Sequence, residues 1–256
     1  MKEIIVTSRD KKIIIPDGTE ALIIDGPLLK NKTTSKSVKN IQIIIGRNCQ
    51  VKYIFLAISD ISQVPQDREL IIGDKSQVIS YRAYFNSGDN NSKFVNNLGK
   101  GADFESRVLF YFSGSDSFAV NDDYIFNKPG AHGRFSVIGL LDKSANAKYY
   151  SDIVIKPLAQ QTDSRIDMKL YLMSQSAKGV MLPGLKISAN EVKAGHGAST
   201  FQLSPEDIFY LQSRGLNEKQ ARELVINSLT ARFTDGLPDN FKKEIATQIK
   251  KKNRVK

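Results

Sequence analysis

The chain has 256 residues, 41% of them hydrophobic and 25% charged, and a formal net charge of +10. That length and balance fit one large globular domain, or a domain with an appendage, and exclude a chain too polar to bury a core. No apolar run approaches the roughly 20 residues of a membrane helix, and a single cysteine, Cys49, excludes an internal disulfide framework.

The opening stretch, Met1 to Thr7, has no signal-peptide apolar region and meets charge again at Arg9. The expected setting is therefore soluble and cytoplasmic. From Lys2 to about Gln202 the sequence reads as strand after strand, with segments 41–45, 50–58, 77–85, 104–112, 135–141 and 166–172 rich in Ile, Val, Tyr and Phe. Clusters of Gly, Asn, Asp and Ser separate them. Such a region must close as a barrel, a sandwich or a solenoid to cover its edges. A repeat favours the solenoid: the segments beginning at Gly46, Gly73 and Gly99 share glycine, a polar pair, a small residue, a polar residue and an apolar residue. Their glycines lie 27 and 26 residues apart, and a turn recurring at near-constant period in a strand-only region marks stacked rungs. Looser copies are read at Asp142–Ala145 and Ser174–Ala177. In this alignment Cys49 fills the slot of Ser76, Ala102, Ala145 and Ala177, which makes it a small turn-packing residue and not a reactive thiol.

After Phe201 the pattern turns helical, dividing the chain into a β domain over 1–202 and a helical domain over 203–256. Ser204-Pro205-Glu206-Asp207 supplies an N-cap, a first-position proline and first-turn acids, and Gly215 is a stop. Ile208, Phe209, Leu211 and Tyr210 give this helix its apolar side. Asn217 caps a second helix, with Gln220 reaching back. Its stripe is Ala221, Leu224, Val225, Ser228, Leu229 and Phe233. A third helix carries Phe241, Ile245 and Ile249 on one face. About 50 residues cannot hold a core alone, so the helices pack on the β domain, on a partner, or on both. The segment from Lys242 to Lys256 has seven basic residues against Glu244. It reads either as a solvated, frayed tail or as a contact for anionic partners; without interleaved aromatics, base stacking is not indicated.

Two histidines and one cysteine cannot supply the four ligands that iron–sulfur clusters use, nor a structural zinc site. No phosphate loop, dinucleotide fingerprint or nucleophile elbow is visible, so nothing signals an autonomous enzyme. His132, in Pro129-Gly130-Ala131-His132-Gly133, reads as a turn residue. His196 is flanked by Gly195 and Gly197 in what reads as a turn after Lys193, which leaves either an ordinary turn histidine or a ligand offered across an interface.

Several stretches together carry a resemblance. They are Ile155-Lys156-Pro157-Leu158-Ala159-Gln160-Gln161-Thr162-Asp163, Pro183-Gly184-Leu185-Lys186-Ile187, Asn190-Glu191-Val192-Lys193, His196-Gly197-Ala198 and Phe209-Tyr210-Leu211-Gln212-Ser213-Arg214-Gly215. In these the chain resembles the SufB/SufD family of iron–sulfur cluster assembly scaffolds, and most closely its SufD-type members. The resemblance implies a right-handed parallel β-helix followed by a small helical domain. It also implies a non-catalytic scaffold subunit whose C-terminal helices dock a SufC-type ABC ATPase, through Ile208, Phe209, Leu211, Arg214, Leu224, Val225 and Leu229. A SufB/SufD-type paralogue, or a second copy, is expected along the β-helix, with His196 as an interface ligand for a nascent cluster. No cofactor is expected to be held stably by this chain alone, only a transient Fe–S cluster in the assembled complex; a membrane partner is not expected, nor nucleic acid. Two departures stand out: strands begin at Lys2, without the family's N-terminal helical domain, and Ala194 stands where many SufD-type members have cysteine. The alternatives are a β-helical carbohydrate-active protein and a basic nucleic-acid-binding protein.

Overall fold

The computed structural model describes residues 1–6, 10–26, 40–58, 67–85 and 89–253. Among these residues fifteen strands alternate between two sheets, all pairs parallel. These run from β1 (Lys2–Ile5) and β2 (Lys12–Ile15) to β14 (Lys178–Ile187) and β15 (Val192–Gln202). The odd-numbered strands, with β3 (Glu20–Asp25), β5 (Gln50–Ala57), β7 (Gln77–Tyr84), β9 (Asp103–Phe112), β11 (His132–Leu141) and β13 (Thr162–Leu172) lying in that order between β1 and β15, form an eight-stranded sheet, and the even-numbered ones, with β12 (Asn146–Ile155), β10 (Ser117–Phe126), β8 (Asp89–Leu98), β6 (Asp67–Ile72) and β4 (Asn40–Ile45) lying in that order between β14 and β2, a seven-stranded sheet. The chain is thus a flattened parallel β-solenoid, as its turn period implied. Val51, Val78 and Phe104 lie side by side at the same 27- and 26-residue spacing as the glycines.

The turns show why the period is legible. Gly18, Asn48, Lys75, Gly101, Gly130 and Gln161 all adopt positive φ. Each of their amides donates to a carbonyl of the following rung's turn, from Gly18 N to Arg47 O at 2.8 Å through to Gln161 N to Glu191 O at 2.6 Å. Gly73 must be glycine because a Cβ there would collide with the Gly46 carbonyl. By strand register the small residue that follows forms a column of Thr19, Cys49, Ser76, Ala102, Ala131 and Thr162. The looser copies ending at Ala145 and Ala177 belong elsewhere: they precede β12 (Asn146–Ile155) and β14, at the opposite corner. Both corners close with a small buried residue, and that shared requirement explains the confusion.

Inside, alternate residues from both sheets meet in one core, dominated by Ile toward the N-terminal end and by Phe and Tyr in the middle rungs. A polar centre interrupts it. Arg82 of β7 (Gln77–Tyr84), fully buried, donates to Asp122 at 2.6 and 3.0 Å, to Ser106 at 2.8 Å and to the Tyr124 hydroxyl at 2.8 Å. Asp122 also accepts from Tyr124, Tyr149 and Asn96. A second buried pair joins Arg68 to Asp25 at 2.7 Å, with Tyr53 donating to the same carboxylate.

Three helices follow: α1 (Pro205–Ser213), α2 (Glu218–Thr234) and α3 (Asp239–Lys252). Both expected N-caps form; the reciprocal box expected of Asn217 with Gln220 is present, and Ser204 closes one as well, with Asp207. Ile226 and Phe233 of α2, with Phe241, Ile245 and Ile249 of α3, pack on Ile54, Leu56, Leu109 and Leu140 on the outer face of the eight-stranded sheet. The α2 stripe is therefore rotated from its expected position. Ile226 and Thr230 are buried, whereas Leu224 and Ser228 are exposed. Nor does the basic segment fray as expected up to residue 253: α3 runs to Lys252, whose ammonium pairs with Asp116 at 2.7 Å over the Phe112 ring.

Candidate functional site

The last rung leaves its strand edges open. Both β15 and β14 end their sheets, so each has a strand edge without a neighbour among the described residues. Inward-facing side chains that would otherwise be covered are left partly exposed here. His196 shows this most directly. Its register column runs Tyr53, Ser80, Ser106, Phe135, Ile166, His196. Every member through Ile166 is buried, whereas His196 is exposed because nothing stacks on it. Met181, Leu185, Val192 and Ala194, half-buried, extend the core to this same surface, and Leu182 (54% exposed), Phe201 (45%) and Ile187 (43%) frame it.

His196 lies within β15 and not in a turn, which corrects the reading drawn from its flanking glycines. Those glycines face outward, over the ion pair of Arg165 and Asp167 (2.8 Å) on the neighbouring strand. A Cβ on Gly197 would come within 3.0 Å of the Asp167 carboxylate, so glycine serves close approach here and not chain reversal. His132 opens β11 (His132–Leu141) on the outward face, between Asp103 and Asp163 in register. Cys49 is buried at the turn before β5 (Gln50–Ala57), toward the other end. The structure thus brings none of Cys49, His132 and His196 together, and no group of three or more metal-ligating side chains occurs among the described residues.

A second surface is formed by the helices. No residue of α1 is buried. Phe209 and Tyr210 are 70% and 58% exposed, and Leu224 of α2 is half exposed. Ile208 and Leu211 are intermediate, and Arg214 caps α1 with its guanidinium 5.4 Å from the Tyr210 ring. Val225 and Leu229, grouped with these from the sequence, lean instead on the sheet-facing cluster. The sequence reading missed the apolar edge at Val180, Leu182 and Phe201. The available signal was Gly179-Val180-Met181-Leu182-Pro183, apolar at positions of both parities where a half-solvated strand would alternate.

One electrostatic feature lies on the outer face of the seven-stranded sheet. Asp123 is half-buried beside Asp152, and burial, reinforced by the charges of Asp152 and Asp122, raises its carboxyl above the usual range. Asp152 is itself held by Lys186.

These features define a class: a two-sheet parallel solenoid whose last rung leaves its strand edges unpaired among the described residues, followed by helices that present an unburied apolar surface. Residues 6–229 match the family described as SUF system FeS cluster assembly, SufBD core domain, and the chain belongs to that family. Among its relatives, the iron–sulfur cluster assembly protein SufD of Bacillus subtilis is 25% identical over 82% of this chain and 49% of its own length. The protein of the same name in Escherichia coli is 35% identical over 36% of this chain and 22% of its own length. An iron–sulfur cluster assembly SufBD family protein of Synechocystis is 33% identical over 39% and 22%. The chain spans about half or less of the length of these relatives. No helix among the described residues is long and apolar enough to cross a membrane.

Proposed function

We propose that this chain is a non-catalytic scaffold subunit of an iron–sulfur cluster assembly complex. On this reading an ABC-type ATPase docks on α1 and the outer side of α2, and a SufB/SufD-type chain closes the terminal rung. The observation that carries it is His196: an imidazole at the end of an otherwise buried column becomes a shared ligand once another chain covers the rung. Iron tolerates such mixed ligand sets, so the thiolates would come from the partner. Ala194, two residues earlier on the same face, leaves that duty to the other chain.

The test is co-expression of the chain with an ABC-type ATPase and a SufB-type chain, followed by cluster reconstitution read by visible absorption. His196→Ala is expected to leave the assembly intact and to lower cluster yield sharply, whereas His132→Ala does not. Equal yields from His196→Ala and the unmodified chain overturn the ligand role. For the ATPase, Phe209→Asp and Leu224→Asp alter exposed side chains and are expected to abolish its capture with folding unchanged. Deleting the helices would be a poorer test, because it would strip the cover from Leu56, Leu109 and Leu140.

A further inference from the structure

The lysines of α3 belong to neither surface described above. Phe241, Ile245 and Ile249 hold one side of this helix against the sheet, and Lys252 is fixed to Asp116 at 2.7 Å with both side chains largely covered. The opposite side faces solvent and carries Lys242, Lys243, Lys250 and Lys251, with Ala246 and Thr247 between them. Asp239, 3.7 Å from Lys242, is the one exposed acid of α3, so this side carries 4 − 1 = +3. Glu244 is half-buried and accepts from Gln248 at 2.7 Å. Helix stability explains only part of the pattern. Lys250 and Lys251 suit the negative end of the helix dipole, but Lys242 and Lys243 stand at or beside the first turn, where cations are disfavoured. Faces that serve solubility alone mix both signs, and this one is nearly of a single sign.

We infer that this face of α3 binds double-stranded DNA through its phosphate backbone, without reading sequence. The spacing fits. From Lys242 to Lys251 the helix advances about 13.5 Å at its usual rise. One strand of a duplex presents a phosphate about every 3.4 Å along its axis, hence about four over that length, one for each lysine. The make-up of the face argues against other anions. A lipid surface calls for apolar side chains inserted beside the lysines, and none of the exposed large hydrophobic residues lies on α3. An acidic protein calls for aromatic or arginine anchors, and the exposed side of α3 has neither. Single strands are held by stacking on aromatic rings, and Phe241, the helix's only aromatic residue, is buried. The missing aromatics spoke against nucleic acid in the sequence, but contact with the backbone of a duplex needs none. The inference is independent of the scaffold reading, because neither docking surface proposed there uses α3.

The experiment titrates a labelled DNA duplex of arbitrary sequence with the full chain and reads fluorescence anisotropy over a series of salt concentrations. Micromolar binding is expected at low salt, with log K falling against log salt at a slope of about −3 to −4 for four phosphate contacts. Lys243→Ala with Lys250→Ala should weaken binding by at least about tenfold and flatten the slope by about 2. The control, Lys148→Ala with Lys169→Ala, removes the same charge from exposed positions on β12 and β13 and should change neither. All four lysines are exposed, and circular dichroism checks that the fold persists. No binding by the folded chain, or an equal loss from the control pair, overturns the inference. Tighter binding of phosphatidylserine vesicles or of polyglutamate than of the duplex also overturns it, by assigning the face to a lipid surface or to an acidic protein.

Discussion

Cys49 donates from Sγ to the Pro16 carbonyl at 3.1 Å, and one rung on, Ser76 donates to the Gly46 carbonyl at 2.7 Å. The two side chains do the same work at equivalent positions. Cys49→Ser is therefore expected to shift unfolding free energy by no more than about 1 kcal/mol in urea titration and to leave cluster assembly unchanged. A loss of assembly with folding intact would make Cys49 a sulfur acceptor. Asp123 is predicted to behave in the opposite sense to a salt-bridged carboxylate. Its pKa is raised in the folded chain, so the charged form opposes folding, and the associated stability is lost as pH rises through the window from the unfolded value to the raised one. Asp123→Asn should therefore stabilise at neutral pH, by at most about 1 kcal/mol for so exposed a group. The gain should vanish below the ordinary carboxylate range. Thermal melts at pH 7 and pH 3 decide it, and a gain that persists at pH 3 would reject the electrostatic cause.

At the scale of elements, the join between helices and solenoid is polar as well as apolar. The C-terminal end of α2 leaves carbonyls that three successive strands of the eight-stranded sheet cap: Lys52 donates to Gly236 O at 2.7 Å, Tyr81 to Asp235 O at 3.0 Å, and Arg107 to Asp235 O at 2.7 Å and Arg232 O at 3.1 Å. Cations suit that end of a helix. Arg107→Ala should cost about 1–3 kcal/mol and speed amide exchange in α3 while leaving the middle strands as they were; unchanged exchange in α3 would show the clamp to be idle. Lys52, Tyr81 and Arg107 sit at ordinary outward positions of their strands, so no local pattern announces this partnership across more than 120 residues. Helix caps and the rung period, by contrast, are local or strictly repetitive, and both could be read. The face of α2 could not: the continuous stripe through Leu224 and Ser228 and the buried one through Ile226 and Thr230 overlap in sequence, and only the position of the sheet selects between them. The Gly195–His196–Gly197 segment was misread for a similar reason. Glycine signals a turn until the neighbouring strand supplies an Arg165–Asp167 pair that needs the space.

Over the whole molecule, stability should follow the one-dimensional logic of a repeat array, in which each rung contacts only its neighbours. The middle rungs have a neighbour on both sides and share the Arg82–Asp122 centre, which ties β7 to β10 (Ser117–Phe126) and β12. Although burial disfavours the Arg82 charge, Asp122 and the surrounding Tyr124, Tyr149 and Tyr84 together outweigh it and its pKa is raised, so Arg82 stays charged and removing Asp122 would strand that buried charge. The terminal strands β14 and β15 have a neighbour on one side only and carry glycine at 179, 184, 195 and 197. Amide hydrogen exchange is therefore expected to be slowest in β7, β9 (Asp103–Phe112), β10 and β12, and faster by orders of magnitude in β15. Binding of the partner should selectively slow β14 and β15, because a ligand that binds only the closed rung suppresses its opening in proportion to its free concentration over Kd. Protection that is uniform along the solenoid, or a partner that slows exchange only in the helices, would place the interface somewhere other than the open rung.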